Sequence, residues 1–146
     1  MMSNRYDEIL EQFEEIKYRY SQLVDSDVLE AFSLMRDSSS LLSNWEQMSA
    51  DAYKLTADAE RMAKATEARR SCELSSKPTD GARKAAFDQE VVDAWGMFSE
   101  LSKQQKYMEA NAKFLSRVYF DSKMIVENCY RQTRPPVGDN KIVGRT

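Results

Sequence analysis

The chain contains no histidine, which excludes every catalytic or metal-binding scheme that needs an imidazole. Its two cysteines, Cys72 and Cys129, are too few for a Cys-rich zinc site and suggest no disulfide framework. A reducing, cytoplasmic compartment follows as the simplest expectation. Four glycines among 146 residues (Gly81, Gly96, Gly138 and Gly144) are too scattered to form a phosphate-cradling loop. No apolar run approaches the ~20 residues of a membrane span. The opening Met1-Met2-Ser3-Asn4-Arg5 leads into polar sequence rather than a signal segment. Carboxylate pairs such as Glu14 and Glu15 lie on exposed helix faces, with nothing to raise a pKa. We therefore expect no enzyme activity, no cofactor, no metal site and no membrane contact.

What the chain does have is helix-forming residues in heptad-like order. Tyr6, Ile9, Phe13, Ile16, Tyr20 and Leu23 recur at spacings of 3 and 4, which predicts a helix over about 4–23. Asp27 and Glu30 then form a capping-box pattern. A second helix follows over about 28–72, with a seam of Val28, Ala31, Met35, Ser38, Leu42, Trp45, Met48, Ala52, Leu55, Ala59, Met62 and Thr66. Ser38-Ser39-Ser40 is its weakest stretch, because serine competes for backbone hydrogen bonds, and predicts a bend or a close helix contact. Ser75 to Gly81 collects Pro78, Gly81 and capping residues, so the helix breaks there. A third helix over about 82–133 carries the seam Phe87, Val91, Ala94, Phe98, Leu101, Gln105, Met108, Ala112, Leu115, Tyr119, Ser122, Val126 and Cys129. Pro135-Pro136 ends it, and 135–146 read as a flexible C-terminal tail.

Two long helices joined by a short break pair antiparallel. The expected fold is all-α: one helical domain over 1–134, built as a long, coiled-coil-like antiparallel hairpin with a short N-terminal helix. Centring the fold on Lys77 sets Trp45 against Met108, Leu55 against Phe98 and Val28 against Val126. Trp45 and Trp95 read as core residues rather than stacking platforms. The last third of the third helix has more apolar surface than one seam uses, at Tyr107, Phe114, Val118, Phe120, Met124, Ile125 and Tyr130. Either the first helix covers it or it is an oligomer interface. The second reading places Phe114, Leu115, Val118, Tyr119, Ile125 and Val126 between copies of the chain.

The net charge of −3 hides an asymmetry. Residues 1–60 carry 5 basic and 13 acidic side chains, and residues 61–146 carry 16 basic and 11 acidic. One basic cluster surrounds the break: Arg61, Lys64, Arg69, Arg70, Lys77, Arg83 and Lys84, against Glu67, Glu73 and Asp80. Another runs along the third helix as Lys103, Lys106, Lys113 and Arg117, with Tyr107 and Phe114 among them. Cations interleaved with aromatics suit sequence-blind binding of single-stranded nucleic acid. An ordinary solvated face, with Arg69 and Arg70 favouring a helix C-terminal dipole, accounts for the same residues.

The order of elements resembles the recombination mediator family of T-even-like phages, called UvsY. The residues that carry the resemblance are Val24-Asp25-Ser26-Asp27-Val28-Leu29 at the entry to the second helix, Trp45, and the basic end from Lys64 to Arg70. The Ser-rich break, Lys106-Tyr107, Phe114-Leu115 and Ser122-Lys123-Met124-Ile125 complete it. It covers about Asp25 to Arg131. The resemblance implies a ring-like homo-oligomer in the host cytoplasm that binds single-stranded DNA, remodels a single-strand binding protein and loads a phage recombinase. It sets Lys64, Arg69 and Arg70 nearest the DNA-contacting positions, within a tip that also holds Lys77, Arg83 and Lys84. It sets Tyr107 to Tyr130 on the assembly helix. Where the family's long helix ends in aromatic residues and Ser-Gly, this chain has Ser71-Cys72-Glu73-Leu74-Ser75-Ser76. The alternative function is a helical scaffold, adaptor or inhibitor with no nucleic-acid role, docking its acidic first helix on a basic partner.

Overall fold

The computed structural model describes residues 2–133, so the expected tail over 135–146 lies outside the described residues. These residues form four helices and no strand: α1 (Met2–Gln22), α2 (Val28–Leu74), α3 (Pro78–Ala85) and α4 (Gln89–Thr133). None of the helices is long and apolar enough to cross a membrane. The chain divides into two compact units. One contains the described residues up to Leu41 and those from Leu115 onward; the other is Leu42–Phe114.

The first unit brings α1 against segments of α2 and α4. Ile9, Phe13 and Ile16 of α1 are buried, as the heptad spacing predicts. Ala31, Leu34, Ser38 and Leu41 of α2, and Leu115, Val118 and Ser122 of α4, complete the core. Ser38 is fully buried, with its hydroxyl on the Met35 carbonyl at 3.2 Å, so the serine stretch makes a close contact while α2 continues unbroken. Arg19 fixes α1 to α2: Nε donates to Glu30 at 2.6 Å, Nη1 to Asp37 at 2.8 Å and Nη2 to Ser33 at 2.9 Å. On the other side the Tyr20 hydroxyl donates to Asp121 of α4. The first helix therefore folds back onto its own chain. Asp27 caps α2, its Oδ1 accepting the Glu30 N–H at 3.1 Å. The reciprocal half of the expected capping box is spent elsewhere, since the Glu30 carboxylate takes Arg19.

This burial corrects part of the oligomer-interface expectation. Leu115 and Val118 are fully enclosed by the chain's own residues, and Phe114, Tyr119, Ile125 and Val126 are half-buried. Phe120, Met124 and Tyr130 stay exposed.

In the second unit, Trp45, Ala52, Thr56 and Ala63 form the buried stripe of α2. Trp45 to Ala63 is five turns at the ~3.6 residues per turn of a straight α-helix. The expected seam kept a 3.5 repeat, which drifts off the buried face. Leu55 and Met62 are accordingly 56% and 67% exposed instead of buried. The Trp45 ring meets Tyr107 edge-on, with centroids 6.2 Å apart. Glu67 accepts the Trp95 indole N–H at 3.1 Å, and Arg70 pairs with Asp88. As α2 numbers rise, their α4 partners fall, so the two segments run antiparallel within this unit. A fold centred on Lys77 would have set Glu67 against Phe87 and Arg70 against Lys84.

The register differs because the chain between the long helices is itself structured. The expected third helix over 82–133 is two helices. Pro78 starts α3, where a fixed φ and a missing N–H are tolerated. Gly81 and Ala85 are buried under it. Ala86-Phe87-Asp88 then turns, with Phe87 and Asp88 N–H groups on the Lys84 and Ala85 carbonyls. Asp88 restarts the chain as α4 by accepting the Val91 and Glu90 N–H groups at its carboxylate. Phe87, expected at the head of the seam, is 85% exposed.

Candidate nucleic-acid interface

The tip cations identified from sequence do come together in the second unit, but with carboxylates. Lys64 Nζ lies 3.0 Å from Glu60, one turn back on α2. Arg69 bonds Glu73 at 3.1 Å and also Glu90 of α4. Arg70 holds Asp88 at 2.9 Å and Glu73 at 2.7 Å, with Glu90 at 3.7 Å. On α3, Arg83 and Lys84 share Asp80, at 2.9 and 3.1 Å. Lys77, the residue preceding α3, is exposed and is the one member of this group outside the ion pairs of the described residues.

The pairing shows in the titration of these groups. Hydrogen bonds from Arg70 hold the Asp88 carboxyl below its ordinary value. Arg70 and then Arg69 do the same to Glu73, and Lys84, Ser75 and Arg83 to Asp80. The Arg70 guanidinium is correspondingly pushed well above its ordinary value, by Asp88 first and Glu73 second. Sequence reasoning weighed Glu67, Glu73 and Asp80 against this cluster. It missed Glu60, Asp88 and Glu90. Glu60 was legible as an i,i+4 partner of Lys64. Asp88 and Glu90 reach the tip only because α3 shifts the register. A phosphate approaching Arg69 or Arg70 has to displace a carboxylate already in place.

The run on α4 is different. Lys103, Lys106 and Lys113 are exposed and lie outside the ion pairs of the described residues. All three lie on α4, and Tyr107, 49% exposed, follows Lys106 in the sequence with its ring edge-on to Trp45. Phe114 is half-buried beside Lys113. Lys113 also borders a shallow groove of about 390 Å³ that includes Glu46, Glu109 and the exposed Tyr53. Arg117, in the first unit, is exposed and likewise outside the ion pairs of the described residues.

α1 presents the opposite sign. Asp7, Glu8, Glu11, Glu14 and Glu15 are exposed and outside the ion pairs of the described residues. Among the described residues no three His, Cys, Asp or Glu side chains gather as a metal site would. Cys72 and Cys129 are free thiols. No protein-family model, curated protein or solved structure matches the chain.

Proposed function

We propose that the chain is a non-enzymatic binding protein for single-stranded DNA, acting as a homo-oligomeric recombination mediator of the kind its sequence resembles. The observation that carries the proposal is that Lys103, Lys106 and Lys113 are exposed, lie outside the ion pairs of the described residues and share α4 with Tyr107, whose ring meets Trp45 edge-on. Lysines neutralise phosphates without reading sequence, and an aromatic face accepts any base. In this reading the phosphate contacts shift from the salt-bridged tip of Lys64, Arg69, Arg70, Arg83 and Lys84 to α4, with Lys77 as the remaining tip contact.

The finer architecture belongs to the same proposal. α2 and α4 form a long, coiled-coil-like antiparallel hairpin, and copies of the chain meet through Phe120, Met124 and Tyr130. Several weak lysine rows on one strand then multiply into useful affinity. A single-strand binding protein and a recombinase complete the expected set of partners.

Fluorescence anisotropy of a labelled oligo-dT strand over a salt series tests the reading. Salt-sensitive binding at micromolar protein or tighter supports it, and the log–log slope counts the phosphates neutralised. No binding at low salt by folded protein sinks it. A second reading, an adaptor that docks α1 on a basic partner, is favoured by the uncompensated acidic face of α1. Charge reversal at Glu8, Glu11 and Glu15 separates the two readings. It leaves or strengthens DNA binding in the first and abolishes partner binding in the second.

A further inference from the structure

α1 gathers its acids on one side. At about 100° of rotation per residue, Asp7, Glu8, Glu11, Glu14 and Glu15 fall within about a third of the helix circumference. That side lies opposite the buried Ile9, Phe13 and Ile16. All five acids are exposed and outside the ion pairs of the described residues. Tyr18, 68% exposed, falls in the same sector, and the exposed cations Arg5 and Lys17 fall to either side of it. The opposite side of α1 is committed to its own chain, through that apolar stripe and through the bonds of Arg19 and Tyr20. The acidic face is therefore held in place and left open to another molecule.

α4 carries the complement. Lys103, Lys106 and Lys113 fall within about 80° of its circumference by the same rotation. They too are exposed and outside the ion pairs of the described residues. Ala110 is exposed in the same sector. Glu109, one turn before Lys113, is half-buried and accepts the Gln105 amide at 3.0 Å instead of pairing with that lysine. The two faces match in length, about 12 Å from Asp7 to Glu15 and about 15 Å from Lys103 to Lys113.

We propose that the acidic face of α1 in one copy of the chain docks on the lysine row of α4 in a second copy. Single exposed ion pairs contribute little, so the contact depends on several forming together and is sensitive to salt. It is heterologous: each copy keeps its other face free for a further copy. It uses none of Phe120, Met124 and Tyr130, and it goes beyond the DNA-binding proposal without resting on it. In that DNA reading, α1 of the neighbour is the strand's competitor for the row.

The test places thiols inside both faces without removing a charge. Two full-length chains carry Cys72→Ser and Cys129→Ser, one with Tyr18→Cys and the other with Ala110→Cys. They are mixed at low salt with a thiol oxidant, and disulfide-linked pairs are read by mass spectrometry. The two variants link to each other about tenfold faster than either links to itself, because docking raises the effective concentration of the two thiols. High salt slows that linkage severalfold. Lys103→Glu, Lys106→Glu and Lys113→Glu in the Ala110→Cys chain abolish the advantage. Glu8→Lys, Glu11→Lys and Glu15→Lys in the Tyr18→Cys chain then restore it. Mixed linkage no faster than self-linkage overturns the proposal, and so does a rate unmoved by salt or charge reversal. A chain carrying both Tyr18→Cys and Ala110→Cys that closes mainly on itself assigns the acidic face to its own lysines and overturns the second-copy occupant. No nucleic acid enters the measurement, so its failure and that of the oligo-dT test are read separately.

Discussion

The Arg70 guanidinium grips the Asp88 carboxylate with two nitrogens, Nη2 on Oδ1 at 2.9 Å and Nε on Oδ2 at 3.1 Å. The same carboxylate caps α4 by accepting the Val91 and Glu90 N–H groups. One side chain therefore starts a helix and ties it to the end of α2. The planar fork of arginine suits this geometry and a lysine does not. Asp88→Ala removes the cap and leaves Arg70 with Glu73 and the more distant Glu90. Its thermal unfolding midpoint should fall by several degrees, and Arg70→Lys should fall part of the way. Circular dichroism melts check both, and an unchanged midpoint in Asp88→Ala would show that the cap is dispensable.

Acid should loosen the same region. The carboxyls of Asp88, Asp80 and Glu73 are held below their ordinary values of 3.8, 3.8 and 4.5 by arginine and lysine partners. A carboxyl with a lowered folded pKa stabilises the fold fully above its unfolded value. That contribution is lost as the pH falls through the folded value. Stability should thus be flat from neutral pH to about 5 and decline below about 4. Urea midpoints between pH 7 and pH 2.5 measure the decline, which should be shallower in Asp88→Asn.

Two glycines should respond in opposite directions to alanine. A Cβ at Gly81 would sit inside contact distance of the Ser71 backbone carbonyl, which cannot swing away as a side-chain tip can. Gly81→Ala should cost about 1–3 kcal/mol through overpacking between α3 and the end of α2. Gly96 lies in α4 with nothing within 4 Å of its added Cβ. Gly96→Ala should stabilise by about 0.5–1 kcal/mol, since it only removes backbone freedom from the unfolded chain. Equal shifts in the two urea curves would refute the contact.

The corrected face of α2 gives a further test. Leu55 and Met62 are exposed, while Trp45 and Ala63 are fully buried. Leu55→Gln and Met62→Gln should each change stability by less than about 0.5 kcal/mol. Ala63→Leu should cost about 1–3 kcal/mol and Trp45→Ala about 3–5. A large loss in Leu55→Gln would restore the 3.5-residue seam.

Which parts of this architecture were legible in the sequence follows from the range of the forces. The α1 seam was readable because Ile9, Phe13 and Ile16 span only two turns, over which repeats of 3.5 and 3.6 barely diverge. Over the five turns from Trp45 to Ala63 the divergence moved Leu55 and Met62 outward. The Asp27 cap was local and therefore readable. Asp88 was equally local, but the unbroken spacing of Phe87, Val91 and Ala94 masked it, and neither glycine nor proline marks the turn at Ala86–Asp88. The charge balance of the tip was the least legible. Asp88 and Glu90 meet Arg69 and Arg70 only once α3 has set the register. A cluster that looks basic in sequence is neutralised across eighteen to twenty-one residues.

That neutralisation sets the decisive prediction for the proposed DNA interface. Phosphate binding releases condensed counterions, and the log–log salt slope for single strands is about −0.7 per phosphate neutralised. Lys103→Gln, Lys106→Gln and Lys113→Gln together should lower the slope by about 2 and weaken oligo-dT binding strongly at low salt. Their exposure predicts little change in unfolding midpoint. Tyr107→Ala should weaken binding by about 1–3 kcal/mol with the slope unchanged, since it removes stacking and no charge. Arg69→Gln with Arg70→Gln should do the reverse of the lysine triple. It should lower the melting midpoint, because Glu73, Asp88 and Glu90 lose their partners, while the slope stays near that of the parent. If the arginine pair flattens the slope and the lysine triple does not, the strand is held at the tip, and its phosphates displace Asp88 and Glu90 from Arg70 and Arg69.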